Sequence, residues 1–176
     1  MQDIIENSAQ LAEWQINFIN DNILSNSMPW YFSSHSVYGD NLHYFSHVLI
    51  HRKEQDKNLE NNSPITDFFI DIFKKIAVEN KFQINEIFRA SLNTTFYNNI
   101  RQGTVHLDHE FDHYNFIMYL DTIPDAGTAI FENDKSTIKY VSECVKFNYV
   151  IFPGFFHAQL FPPPNCKRVV FVVTFR

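Results

Sequence analysis

The chain is short of several things that would each have named a function. It has two cysteines in 176 residues, Cys144 and Cys166. Two distant thiols make neither a disulfide framework nor a CxxC redox or zinc site, and their scarcity predicts a reducing, cytoplasmic setting. No apolar run approaches the roughly 20 residues needed to span a bilayer. The start, Gln2-Asp3-Ile4-Ile5-Glu6, is acidic and amphipathic, unlike a secretory leader. Positive charge is scarce too: 14 basic against 20 acidic residues leave a formal charge of −6. A domain that holds nucleic acid by its phosphates shows the opposite balance, so nucleic acid is disfavoured as a partner. Glycine is sparse as well, at 4 residues.

What is abundant is aromatic and β-branched bulk. Hydrophobic residues make up 45% of the chain, with 19 Phe and 8 Tyr, which favours strands over a thick core rather than a helical bundle. A chain of this length buries roughly 70% of the surface its unfolded form exposes and needs no covalent staple. The expectation is one domain over residues 1–176.

Helical signals sit in the first half. Ile4, Ile5, Leu11, Trp14, Phe18, Ile19 and Ile23 fit an amphipathic helix from Asp3 to Leu24, and Phe68, Phe69, Ile72, Phe73 and Ile76 fit a second from Ile65 to Asn80. Ser63-Pro64 suits the start of that second helix. Trp30 to Val37 and Tyr44 to Ile50 read as strands, His51-Arg52-Lys53 as a solvated turn, and Arg52 to Ser63 as a surface loop. From residue 85 onward short Val/Ile/Phe/Tyr/Thr runs recur between turn residues. Strands are predicted near 85–97, 103–108, 114–120, 128–132, 137–141, 147–152, 155–160 and 167–175. The fold class that follows is mainly β with added helices. A double-stranded β-helix (a jelly roll of cupin type) at 85–176 forms the core, and residues 1–84 form a supporting region of helix and strand.

The richest stretch runs from Gly103 to His113 and holds three of the 8 histidines. On a strand, His106 and Asp108 share one face while Leu107 points away. Two ligands on one face can grip one ion, and His157, in Phe155-Phe156-His157-Ala158, is the candidate third. Two imidazoles and a carboxylate on one face of an octahedral ion leave three positions open, which suits Fe(II) oxygenases that bind a bidentate co-substrate and O2 together. An HxD pair alone is common: a satisfied strand histidine and a turn carboxylate give the same letters. Arg168 adds to the pattern. It opens the apolar run Val169 to Phe175, where a guanidinium either reaches solvent at a strand end or turns inward to an anion such as the C5 carboxylate of 2-oxoglutarate. Arg176 is a rival for that role at the chain terminus.

These blocks, in this order, resemble the 2-oxoglutarate/Fe(II)-dependent dioxygenase superfamily, in particular its prolyl-4-hydroxylase-like branch. They are also similar to small oxygenases of that branch predicted in marine phages. The resemblance rests on His106-Leu107-Asp108, Phe116-Ile117-Met118-Tyr119-Leu120, Ala126-Gly127-Thr128-Ala129-Ile130-Phe131, His157 and Arg168, and covers residues 85–176. Ala126 replaces the first glycine of the family's usual third block. The resemblance implies His106, Asp108 and His157 as iron ligands and as the catalytic centre. It implies Arg168 on the distal carboxylate of 2-oxoglutarate, with Tyr97, Thr95 and Tyr119 as further co-substrate contacts. Val170 stands where some relatives carry a serine on the same carboxylate, and Thr174 is a candidate substitute. The implied cofactors are Fe(II), 2-oxoglutarate and O2. The implied activity is hydroxylation of an unknown peptide, protein or small-molecule substrate, a prolyl residue being the first candidate, with release of succinate and CO2.

Two other classes compete. His109-Glu110-Phe111-Asp112-His113 matches the HExxH pattern of zinc hydrolases, in which a helix brings both histidines to one face and Glu serves as general base. The strands expected on both sides leave about five residues for that helix, too few for a stable one. A non-catalytic, metal-binding jelly-roll module is the third class.

Overall fold

A computed structural model describes residues 4–52 and 63–176. In chain order the elements are β1 (Ile5–Ser8), α1 (Glu13–Phe18), β2 (Tyr31–Ser33), β3 (Tyr44–Ile50), α2 (Thr66–Glu79), β4 (Ile87–Phe96), β5 (Tyr114–Tyr119), β6 (Thr128–Phe131), β7 (Ile138–Val141), β8 (Asn148–Pro153), β9 (His157–Gln159) and β10 (Lys167–Phe175). Seven strands form one sheet in the order β1-β8-β5-β10-β4-β3-β2, and three form a second in the order β7-β6-β9. Every pairing is antiparallel. The protein is mainly β, a double-stranded β-helix with added helices.

Alternation along the large sheet divides the molecule. On β10, Val169, Phe171, Val173 and Phe175 join one core cluster, while Val170 and Val172 join another. On β5, Phe116 and Met118 take the first side, and Ile117 and Tyr119 the second. The first side is covered by α2. Phe73 stands 5.3 Å from Phe116 and 4.9 Å from Phe175, and Phe69 stands 4.9 Å from Phe171, centroid to centroid. These edge-on and tilted contacts join large rings, Phe69, Phe73, Phe116, Phe171 and Phe175 among them, that are fully buried. The second side faces the small sheet and the cavity described below.

Three expectations fail locally. The helix expected over Asp3 to Leu24 is only Glu13–Phe18, continued by a π-turn at Ile19–Ile23. Its first third is instead β1, paired with β8. Apolar Ile4 and Ile5 are satisfied by that sheet edge, and the helix begins only where the Gln15 side chain accepts the Ala12 N–H at 2.9 Å. The second helix lies where its apolar stripe predicts, but Ser63-Pro64 precedes it by a turn, with Ile65 at the cap position. Finally, 103–108 is no regular strand. It touches β9 through one isolated bridge, His106 with His157, and a second bridge, Gln102 with Leu160, lies just outside both segments. Among the described residues no helix is long and apolar enough to cross a membrane. The loop expected from Arg52 to Ser63 lies, except for its two ends, outside the described residues.

Candidate metal centre

His106 and His157 meet through their backbones before their side chains do. Each N–H donates to the other's carbonyl at 3.0 Å, a mutual pair that fixes their imidazoles side by side, 4.6 Å between centroids. Both rings are then held from below in the same way. Nδ1 of His106 lies 2.9 Å from the Thr104 carbonyl, and Nδ1 of His157 lies 3.0 Å from the Phe155 carbonyl. A carbonyl only accepts, so Nδ1 carries the proton in each ring and Nε2 keeps its lone pair. Burial, reinforced by neighbouring His157, pushes His106 down to about 4, so its ring is neutral at physiological pH.

Asp108 completes the group. One ligand atom from each of His106, Asp108 and His157 lies within 4.8 Å of the others. The two carboxylate oxygens have separate partners. Oδ1 is held by Arg52 Nη2 at 2.8 Å and Arg89 Nη2 at 3.3 Å, and Arg52 Nη1 also donates to the Asp108 carbonyl at 2.7 Å. Oδ2 faces His157 Nε2 at 3.5 Å. Burial alone raises the carboxyl, but the Arg89 charge and the contact with His157 outweigh it and hold Asp108 well below the usual carboxylate range. With Nδ1 of His157 on a carbonyl, its Nε2 and Oδ2 of Asp108 point into the same space, as two ligands of one ion would. Two imidazoles and one carboxylate, each braced by a carbonyl or a guanidinium behind it, fit a divalent ion of the iron class.

The group opens into a cavity of about 480 Å³ whose walls include Arg89, Asn93, Ile117, Thr128, Arg168, Val170 and Val172. Arg168 projects from the start of β10 and is 3% exposed. Its Nε donates to the Ala126 carbonyl at 2.6 Å, and its Nη2 to Thr128 Oγ1 at 3.1 Å and the Gly127 carbonyl at 3.4 Å. Every one of these acceptors is neutral. Among the described residues no carboxylate pairs with Arg168, which leaves a buried cation facing a cavity without a counter-ion, a costly arrangement unless a ligand anion enters. Gly127 is required here. A Cβ on it would stand 1.7 Å from the Ser142 carbonyl oxygen, so only glycine lets this turn close under the guanidinium.

The other expected co-substrate contacts divide. Thr95 lies opposite Arg168 in the β4–β10 register, so its side chain shares that face, and its hydroxyl is buried without a hydrogen-bond partner. Tyr119 is fully buried and does not line the cavity. Its hydroxyl bonds Thr128 at 2.9 Å and Ser142 at 2.5 Å, and its ring lies 5.4 Å from the Arg168 guanidinium carbon, so it braces the arginine from behind. Tyr97 is not brought to the site. It follows the end of β4 and is 51% exposed, because β4 stops at Phe96 and the chain turns outward. Thr174 cannot replace a serine at position 170. It lies six residues along β10 from Arg168, on the order of 20 Å, and is engaged with His109 Nε2 at 2.9 Å. Arg176 pairs with Glu86 at the exposed end of the sheet and does not reach the cavity.

The HExxH arrangement is not assembled. Residues 109–113 form bends, not a helix. Glu110 is exposed, His109 is tied to Thr174, and His113 Nδ1 lies 2.7 Å from the Phe111 carbonyl. Among the described residues the only cluster able to hold an ion is His106, Asp108 and His157.

Two features escaped the sequence. Arg52, expected in a solvated turn, grips Asp108, and Arg89 reaches the same carboxylate from β4. The segment between β2 and β3 walls the cavity with Ser33, His35 and Tyr38, because Asp40 ties its turn together, accepting from the N–H groups of Ser36, Val37 and Leu42 and from the Ser36 hydroxyl.

No family model and no curated protein sequence matches the chain. Solved structures do. A 2OG-Fe(II) oxygenase family oxidoreductase from Burkholderia pseudomallei superposes with a TM-score of 0.64 at 15% identity, over 98% of this chain and 84% of that one. A Pseudomonas putida prolyl-4-hydroxylase gives 0.59 at 11% identity, over 98% and 91%. A Trichoplax adhaerens prolyl hydroxylase, solved with a hypoxia inducible factor oxygen degradation domain peptide fragment, gives 0.67 at 8% identity, over 98% and 82%. At such identities the likeness is one of fold: the chain has the double-stranded β-helix architecture of these oxygenases.

Proposed function

We propose that the protein is a non-haem Fe(II)- and 2-oxoglutarate-dependent oxygenase, with His106, Asp108 and His157 as its metal ligands. The observation that carries this reading is a pairing across one cavity. At one end three ligand atoms converge, with Nδ1 of both imidazoles on carbonyls, and at the other a buried guanidinium has no carboxylate partner among the described residues. An Fe(II) ion held there would supply O2 activation coupled to oxidative decarboxylation of 2-oxoglutarate, giving succinate and CO2.

The chain's own residues do the rest. Thr104 and Phe155 carbonyls hold the imidazoles in the ligating tautomer, and Arg52 fixes the carboxylate so that Oδ2 alone turns inward. Arg168 offers a fixed fork for the distal carboxylate of 2-oxoglutarate, with the unpaired Thr95 hydroxyl on the same face. Val170, Val172 and Ile117 keep that end of the cavity apolar and dry. Tyr119 acts through Thr128 and Arg168 as a positioning residue.

The substrate is a peptide, a protein or a small molecule. The prolyl hydroxylases among the structural relatives make a prolyl side chain the first to try. The free thiols of Cys144 and Cys166 fit a reducing cytoplasm, and residues 1–176 are read as one domain. The test is uncoupled turnover: the Fe(II)-loaded protein incubated with 2-oxoglutarate and O2 should release succinate, and His106→Ala should release none. Peptide cleavage with zinc in place of 2-oxoglutarate turnover would favour a hydrolase, and neither reaction would favour a binding module.

A further inference from the structure

Arg168 does not offer its whole guanidinium to the cavity. Nε and Nη2 are committed to the Ala126 and Gly127 carbonyls and the Thr128 hydroxyl, so Nη1 is the open end of the fork. A carboxylate has two oxygens and about four lone-pair sites, more than one nitrogen satisfies. The surrounding wall adds little. Ile117, Val170 and Val172 are apolar, and on the small sheet Thr128 already accepts from Arg168 and Tyr119. Thr95 stands opposite Arg168, but its hydroxyl is shut in and does not line the cavity.

Asn93 is the exception. It lies on the cavity face of β4 one pleat from Thr95, about 7 Å, on the side toward Arg89 and Asp108. In register it stands between Ser46 of β3 and Val170 of β10. The Ser46 hydroxyl donates to its Oδ1 at 2.8 Å. The Leu92 carbonyl, at 3.4 Å, is the poorer acceptor for that single proton. With Oδ1 tied toward β3, Nδ2 turns the other way, over Val170. Asn93 is half-buried in the cavity wall, and among the described residues its Nδ2 has no partner. Unlike the Thr95 hydroxyl, that nitrogen is not shut in.

We infer that Asn93 is the second donor to the carboxylate that Arg168 anchors, and that Ser46 is the positioning residue that aims it. The inference rests on the oxygenase reading of the same cavity. The amide serves the oxygen that Nη1 leaves over, across a floor where Val170 has no hydrogen to give. It does so without adding charge. Ser46 does not line the cavity and acts only through Asn93, by keeping the N–H end of the amide turned inward. The arrangement is stiff, because β4 is a central strand flanked by β3 and β10.

The experiment titrates 2-oxoglutarate into the full chain loaded anaerobically with Mn(II), and reads binding by calorimetry rather than turnover. Asn93→Ala should weaken 2-oxoglutarate by about 10-fold, the loss of one bond to a charged group. Asn93→Asp keeps the shape but swaps the donor for a like charge, and should weaken it further. Ser46→Ala should cost less, about 3-fold, since the donor survives and only its aim is lost. Ser46→Thr, which restores the hydroxyl, should recover the affinity. If both residues hold one carboxylate, Asn93→Ala with Arg168→Ala should lose less than the product of the two single losses. Mn(II) affinity without 2-oxoglutarate should be unchanged in Asn93→Ala. Unchanged 2-oxoglutarate affinity in Asn93→Ala would overturn the inference. So would Asn93→Asp no weaker than Asn93→Ala, which means the amide presents its oxygen. Fully multiplicative losses in the double variant, or lost Mn(II) binding, would overturn it by placing Asn93 elsewhere. If 2-oxoglutarate fails to load the unaltered protein, the oxygenase reading falls as well; loading that is indifferent to Asn93 removes this inference alone.

Discussion

The two faces of the large sheet are built from the same strands and obey different rules. On the face toward α2, β4, β5, β8 and β10 present Leu92, Phe116, Ile151 and Phe171, all fully buried and all apolar. On the other face the same strands present Arg89, Asn93, Thr95, Asn115 and Arg168, several with polar atoms left unpartnered. The first face is apolar apart from the Thr94 hydroxyl, which alternation places on Leu92's side of β4. The second holds polar groups that the chain does not itself pair, and such groups persist in a folded protein when the surrounding scaffold is strong enough to carry them and a ligand uses them. The helix face supplies the stability on which the cavity face draws.

That division can be broken from either side. The largest effect belongs to the cavity: Asp108→Ala should abolish succinate release and metal binding while far-UV circular dichroism stays native. Turnover within a few-fold of the unaltered protein would refute the ligand assignment. Next comes the helix face. Phe73→Ala empties the contact among Phe116, Phe175 and α2, and should cost about 3–5 kcal/mol in denaturant unfolding. Below its lowered midpoint that variant should still bind metal, since Phe73 touches nothing in the cavity; joint loss of both would show that the faces are not separable. Arg168→Ala should weaken 2-oxoglutarate binding by about 1.5–3 kcal/mol, roughly 10- to 150-fold, as a charge-assisted bond is lost. Metal affinity in the absence of co-substrate should be the same.

The smallest effect is one of pH, read on the metal-free protein. Burial depresses His106 and His109 to about 4 from an unperturbed 6.5, with His157 adding to the first and Arg52 to the second. A histidine depressed by folding binds its proton more readily when unfolded. Its contribution to stability is therefore whole above about 6.5 and is lost as pH falls toward 4. The metal-free protein should lose stability across that window, and His109→Gln should flatten the slope. An unchanged slope would contradict the burial of that ring.

How much of this was legible in the letters depends on how far each residue's partner lies along the chain. His106 and Asp108 were readable as a pair because they stand two residues apart, although the strand expected to carry them is replaced by isolated bridges, and His157 and Arg168 because few residue types can do their work. The apolar stripe of α2 gave its position to within a residue. Arg52 and Arg89 were not readable as a pair on Asp108: they come from just past β3 and from the start of β4, and only the β3–β4 pairing brings them to one carboxylate. The first turns were misread because Ile4 and Ile5 satisfy a helical period and a strand edge equally well, and the partner that decides, β8, begins at residue 148. Tyr97 was assigned by its spacing from His106, but β4 ends one residue too soon for it to face inward.

The central claim is that one ion and one 2-oxoglutarate occupy opposite ends of a single cavity, the first on His106, Asp108 and His157 and the second spanning to Arg168. Anaerobic titration with Fe(II), with and without 2-oxoglutarate, tests it most directly. The account predicts one Fe(II) per chain and a visible charge-transfer band that forms only when both are present, absent in Asp108→Ala and shifted to higher 2-oxoglutarate concentration in Arg168→Ala. A band that survives Asp108→Ala, or metal binding that is lost instead when His109 and His113 are replaced, would contradict it.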